Sequence, residues 1–181
     1  MNHPEARQAR PRWVKELMEW TMSLTIAIVA ALLIQTYVYA QSEVQNISMQ
    51  NTLVAGQRLI EDKWSYRFTT PKHGDIIIIN GPESELRLIK RVIALPGDEL
   101  DMRDGLVYLN GQKLDEPYVK GLTFAEGMKM PYKVSHEQVF VMGDNRENSQ
   151  DSRVLGPIHL SSVEGKAVLR IWPLNKFGAL Q

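Results

Sequence analysis

Serine 48 and lysine 90 are the residues whose types could supply a nucleophile and its base. Ser48 lies in Asn46-Ile-Ser-Met-Gln-Asn-Thr-Leu53, and taken alone a serine in such a polar turn is ordinarily structural or solvated. Lys90 lies in Leu86-Arg-Leu-Ile-Lys-Arg-Val-Ile-Ala-Leu-Pro-Gly-Asp98, where strand alternation puts it on one face with Leu88, Val92 and Ala94. A lysine among apolar neighbours either snorkels its ammonium to water or is desolvated, with a lowered pKa. In the second state the amine is neutral and can take the proton of a serine hydroxyl. A third run, Val139-Phe-Val-Met-Gly-Asp-Asn-Arg-Glu-Asn-Ser-Gln-Asp-Ser-Arg153, followed by Gly156-Pro157, gathers acidic, basic and hydroxyl side chains behind an apolar strand pattern. None of the histidines, His3, His73, His136 and His159, falls in these runs, so a Ser/His/Asp triad has no obvious base.

The element that precedes Ser48 is unlike the rest of the chain. No charged residue occurs between Glu19 and Glu43, and the 23 residues from Trp20 to Ser42 would reach about 34 Å as a helix, enough to cross a bilayer core. A soluble core helix would carry polar residues along one face, whereas here only scattered ones, Thr25, Gln35 and Thr36 among them, interrupt an apolar stretch. Trp20 at one end and Tyr37 and Tyr39 at the other fit interfacial belts, and Arg7, Arg10, Arg12 and Lys15 put the N-terminus in the cytoplasm. The expected organisation is a cytoplasmic segment 1–19, a transmembrane anchor 20–42 and an extracytoplasmic domain 43–181, in which 17 basic residues oppose 18 acidic ones. A cleaved secretory signal competes with the anchor, because Val38-Tyr39-Ala40 has small residues at the first and third positions before a cut. The length of the charge-free stretch and of the N-terminal region favours the anchor. Ser48 follows Gln41 by only seven residues, at most about 23 Å of chain, so any reaction there takes place near the membrane surface.

Strands must position the rest. Leu59-Ile60, Asp75–Asn80, Leu86–Leu95, Leu106–Leu109 and Gln138–Met142 are short apolar or β-branched runs bounded by turn or charged residues. Asn110-Gly111 predicts a two-residue hairpin, since both central positions of that turn need positive φ. A second hairpin is expected near Lys120–Lys133, with its pairing undetermined. The absence of cysteine excludes disulfides, a cysteine nucleophile and thiolate metal sites. Lysine plus arginine equal aspartate plus glutamate at 21 each, so no basic field marks a nucleic-acid partner. Asp98, Glu99, Asp101 and Asp104 lack the glycine and spacing of a calcium loop; no metal and no cofactor is expected.

Three blocks taken together resemble bacterial type I signal peptidases in order and spacing: Ser48-Met49 with Thr52-Leu53; Lys90-Arg91-Val92-Ile93-Ala94 with Pro96-Gly97-Asp98; and Gly143-Asp144-Asn145-Arg146 through Ser149, Asp151, Ser152 and Arg153. The likeness extends over nearly the whole chain, including the N-terminal anchor, Gly74-Asp75-Ile76-Ile77 and the Asn110-Gly111 turn. The resemblance implies a mainly β fold, one transmembrane helix followed by an antiparallel β catalytic domain. It also implies a serine/lysine endopeptidase that removes signal peptides from exported precursors on the outer face of the bacterial cell membrane, near the secretion translocon. By motif position Ser48 would be the nucleophile and Lys90 the general base. Ser149 would help to orient the lysine, and Asp144, Asp151 and Arg153 would be ionic supports. Met49, Leu53, Leu88 and Ile89 would wall two shallow pockets for small side chains, giving cleavage after Ala-X-Ala, with the precursor adding to a strand edge.

Two positions depart from the family pattern. Asn51 stands where proline usually follows the nucleophile by three residues, which bears on the rigidity of the turn and not on the chemistry. Asn46 stands two residues before the nucleophile, where some members place a serine hydroxyl; its amide either donates to the oxyanion or caps a turn. Rival readings are a self-cleaving repressor-type protease, which would be expected to carry a DNA-binding domain in place of the anchor, and a membrane-anchored, non-catalytic binding module.

Overall fold

The computed structural model describes residues 11–81 and 87–180. Two compact units divide between Val38 and Tyr39. The first contains one helix, α1 (Arg12–Tyr37), with 26 residues and none buried, about 39 Å long by its rise. By length and composition it can cross a membrane. Its threonine hydroxyls are satisfied within the helix: Thr21 donates to the Met18 carbonyl, Thr25 to that of Thr21 and Thr36 to that of Leu32. None of the three therefore needs water. Arg7 and Arg10, on which the orientation argument partly rests, lie outside the described residues, as does Leu86 of the expected 86–95 strand.

The helix ends sooner than the charge-free stretch does. Tyr39–Glu43 form β1, paired antiparallel with β2 (Arg58–Asp62) from Tyr39 opposite Asp62 to Glu43 opposite Arg58. The second unit thus begins at Tyr39, where the sequence suggested 43. Lack of charge does not fix conformation, and here the local signal is the strand period: Ser42 and Val44 are buried while Gln41, Glu43 and Gln45 are exposed. The Ala40–Gln41 bond, which a cleaved signal would have broken, lies within this ladder.

From Tyr39 onward the chain is mainly antiparallel β, as expected. The larger sheet runs β1, β2, β11 (Val163–Trp172), β3 (Ile76–Asn80), β4 (Arg87–Ala94), β9 (Gln138–Met142), β10 (Ile158–His159), with β12 (Gly178–Ala179) also paired to β11. The smaller sheet runs β7 (Gln112–Lys113), β6 (Leu106–Leu109), β5 (Glu99–Arg103), β8 (Tyr132–Lys133). Its hairpin turns at Asn110 and Gly111, with φ of 51° and 81°. No hairpin closes over 120–133; instead Tyr132 and Lys133 pair with β5, and Lys120 bridges to Asn145.

Strand parity sorts the side chains that surround the site. On one face of β3 and β4, Ile77, Ile79 and Val92 pack with Val139, Val141 and Ile158, and Leu88 lies against them. On the other, Ile76 and Ile78 pack with Val44, Met49, Leu53, Leu59 and Ala167, and Ile89 lies against them. Lys90 is opposite Ile77, on the face of Leu88 and Val92. Ala94 departs from that expected face: an irregularity between Val92 and Ala94 turns it into a third cluster with Ile93, Leu100 and Phe140.

A Cβ added at Gly111 would meet nothing within 4 Å, so only its left-handed backbone disfavours a side chain there. Gly111→Ala should lower the unfolding free energy by about 1 kcal/mol, read from urea denaturation with an unchanged m value.

Candidate active site

The chain beyond β1 runs through Val44–Asn46 into a turn over Ser48–Thr52. Several bonds pin it. The Leu53 N–H donates to the Met49 carbonyl, the Asn145 N–H to the Ser48 carbonyl at 2.9 Å, and Asn145 Nδ2 to the Ile47 carbonyl at 3.2 Å. The Thr52 hydroxyl donates to the Asp144 carboxylate. Asn51 sits exposed within this turn, whose position is fixed from Thr52, Leu53 and Asn145.

Lys90 projects from the middle of β4, only 2% exposed, and its Nζ donates to Ser48 Oγ at 2.8 Å. Burial is the main reason its pKa is lowered to about 8; the Asp151 and Asp144 carboxylates pull it up, and the Arg153 guanidinium pushes it further down. When the amine is neutral the same contact runs the other way, with the Ser48 hydroxyl donating to the nitrogen lone pair. This is the alignment in which a serine can be deprotonated.

Each nearby carboxylate has its own guanidinium. Arg91, the residue after Lys90 and thus on the opposite side of β4, donates to both Asp144 oxygens at 2.9 and 2.8 Å and stacks on the Tyr118 ring at 3.9 Å. Asp151 accepts from Arg153 Nε and Nη2, both at 2.9 Å, and from the Gly143 N–H. Burial alone would raise the Asp151 carboxyl, yet Arg153 and the Gly143 amide together hold it below the ordinary carboxylate range. Asp151 also caps α2 (Ser152–Leu155) by accepting from the Arg153 N–H. Arg146 is buried and bonded to Glu116 and Thr123. Ser149 Oγ is buried beside Gly143, whose other neighbour is the Ser48 carbonyl oxygen.

A groove of about 400 Å³ leads away from Ser48. One side is Gln41–Asn46, the other Arg87 and Ile89, with Met49 and Ile78 also lining it. Two strand edges meet here. β1 pairs with β2 alone, and the Arg87–Lys90 stretch of β4 pairs with β3 while β9 joins only from Arg91. Of the expected pocket walls, Met49 and Ile89 line the groove; Leu53 lies in the core cluster with Met49, and Leu88 packs on the opposite face of β4. Asn46 is on the groove wall. Residues not anticipated are Ser42, Val44, Ile78 and Arg87 on the groove, while Arg91, Thr52 and Asn145, which stand in the motif blocks without an assigned role, lie behind the turn. The parity of Arg91 against Lys90 was the available signal for one of these. Among the described residues no three His, Asp or Glu side chains converge as a metal site would need.

The family described as "Signal peptidase, peptidase S26" matches residues 17–172. The chain belongs to this family. Similar proteins include signal peptidase I of Bacillus licheniformis, 40% identical over 88% of this chain and 91% of that protein. Signal peptidase I of Leptolyngbya laminosa is 36% identical over 98% of this chain and 91% of the other. The crystal structure of a signal peptidase I from Enterococcus faecalis is 34% identical, covers 54% of this chain and 97% of its own, and superimposes with a TM-score of 0.49. As a member of the family the chain is a peptidase, a hydrolase of the protein-secretion class, with an N-terminal apolar helix consistent with anchoring.

At Gly143 a Cβ would overlap both the Ser149 hydroxyl and the Ser48 carbonyl oxygen. Gly143→Ala should therefore reduce kcat on a precursor by about a hundredfold, the scale of a 1 Å displacement of reacting groups, with a smaller change in KM. Arg91→Met leaves the Asp144 carboxylate buried with one guanidinium fewer, and guanidinium denaturation should show about 3 to 5 kcal/mol less stability.

Proposed function

We propose that this chain is a membrane-bound serine endopeptidase that removes signal peptides from exported precursors with a Ser48/Lys90 dyad. The observation that carries the reading is a dry lysine amine 2.8 Å from a serine hydroxyl at the head of a groove between two strand edges. An extended precursor adds to those edges by main-chain hydrogen bonds, as a strand. Ser48 Oγ attacks the carbonyl carbon of the scissile bond while Lys90 Nζ takes the hydroxyl proton. The tetrahedral oxyanion is stabilised by the Ser48 N–H and the Asn46 amide. Collapse breaks the C–N bond, and the Lys90 ammonium returns the proton to the departing amine of the mature protein. Water, deprotonated by the again neutral amine, then attacks the acyl carbon; the bond to Ser48 Oγ breaks, Lys90 returns the proton to that oxygen, and the signal peptide leaves with a free carboxylate.

By motif position Ser149, buried beside Gly143, takes the part of orienting Lys90, and Asp144, Asp151 and Arg153 hold the ionic frame around it. Small residues on either side of one intervening position, an Ala-X-Ala pattern, suit the restricted floor near Val44, Met49 and Ile89. A single span of the bacterial cell membrane, with the N-terminus cytoplasmic and the unit from Tyr39 outside, is supported by the length and apolar composition of α1 and by Arg12 and Lys15 at its N-terminal end. The bilayer, and a translocon delivering precursors to it, are then the surroundings of the groove.

The test is the full-length protein in detergent, incubated with a precursor carrying Ala-X-Ala before its mature sequence. Cleavage after the second alanine is expected; a folded protein that binds the precursor and never cuts it would replace this reading with the binding module. Ser48→Ala should abolish cleavage at nearly unchanged stability, and Lys90→Arg should be equally inactive because a guanidinium keeps its proton at working pH. An active arginine variant would remove Lys90 from the role of base.

The pH profile has a definite sign. Activity needs the neutral amine, so kcat/KM should be constant well above pH 8, halve near the pKa of about 8 and fall tenfold per pH unit below it. A profile controlled by an unshifted lysine, near 10.4, would contradict the assignment.

A further inference from the structure

The groove changes character along its length. Val44, at its inner end, packs with Met49, Ile78 and Ile89. Ser42 points to the same inner face two residues earlier, about 7 Å away along an extended chain. There it meets charge: its hydroxyl donates to Glu61 Oε2 at 3.0 Å and accepts from Arg87 Nη1 at 3.3 Å. Arg87 also pairs with Glu61 through Nη2 and with Glu164 through Nε. Glu61 is fully buried, and its Oε1 has no hydrogen-bond partner among the described residues. The Arg87 guanidinium has five N–H groups, of which these contacts use three, and it is 38% exposed. A hydrogen-bonding capacity therefore remains at this end of the groove.

An extended peptide held between the two edges turns alternate side chains to the floor. With the residue before the scissile bond over Val44, Met49 and Ile89, the side chain two residues upstream lies over Ser42. We propose that Ser42, backed by Glu61 and Arg87, selects a short neutral hydrogen-bonding side chain at that upstream position over a branched aliphatic one. The inference rests on the peptidase reading of the groove and adds a specificity element to it. Valine there would strip water from Ser42 and Arg87 without replacing the lost bonds, whereas threonine, of the same shape, returns an oxygen to them. Sites that hydrogen-bond a substrate reject the analogue lacking the group more strongly than apolar pockets reject an added one.

The decisive comparison uses the full-length protein in detergent and precursors that differ only at the upstream position, with Thr, Val, Ser or Ala there and Ala before the cut. For the wild type, kcat/KM should be about tenfold higher for Thr than for Val. The ratio within each enzyme cancels any general loss of activity, and in Ser42→Val it should fall to about one or reverse. Equal or better cleavage of the Val precursor by the wild type overturns the inference, and so does an unchanged ratio in Ser42→Val. Should that variant fail to fold, the wild-type ratio still decides. Failure to cut any of the four would instead remove the peptidase reading, and the inference with it.

Discussion

Excluding water from one amine is the constraint on which the site depends. Lys90 is reached by no more than a trace of solvent because β4 is covered on that face by Ile77, Val92 and their neighbours, and the Ser48 turn covers its tip. Burial alone would be undone if free carboxylates stood nearby, since each would stabilise the ammonium. Asp144 and Asp151 do stand nearby, and the fold neutralises each with a guanidinium of its own. Arg153 is thus part of what lowers the amine's pKa, and Arg91 holds the Asp144 carboxylate in a pair of its own. The same pairs anchor the strands: Arg91 ties β4 to the loop after β9, and Asp151 receives the Gly143 N–H and caps the short helix that follows.

That frame also supplies the stiffness that proline would have given at position 51. Thr52 is bonded to Asp144, and Asn145, the next residue, holds the carbonyls of Ile47 and Ser48. The Ser48 turn is therefore fastened to the carboxylate that Arg91 fixes, and Asn51 remains free to be exposed. A substitution that looks like a weakness in one dimension is offset by contacts that cross from one end of the sequence to the other.

Much of this is legible in the sequence. The β-branched runs became β3, β4, β6 and β9, because apolar residues bounded by turn formers have few other places to go, and the Asn110-Gly111 turn follows from backbone sterics alone. Ser48, Lys90, Asp144, Asp151 and Arg153 were visible as residue types in blocks, and the structure brings them together. What could not be read depends on register. The pairing of Tyr39–Glu43 with β2 is hidden inside an uncharged stretch that looks like membrane helix throughout. Adjacent Leu88 and Ile89 cannot both wall one pocket, yet which of them faces the groove is fixed only by how β4 meets β3. The Ser42, Glu61 and Arg87 grouping joins residues 45 positions apart through the succession of pairings β1-β2-β11-β3-β4, and no local pattern announces it.

The early end of α1 bears on how the second unit could be made as a separate protein. A single residue, Val38, separates the helix from β1, so there is no linker in which to cut. A fragment started at Glu43, the first charged residue after α1, would discard almost the entire strand that forms one bank of the groove. It would leave β2 as an open edge able to recruit strands from other molecules. A fragment started at Tyr39 retains the bank, the buried Ser42 and the covered edge.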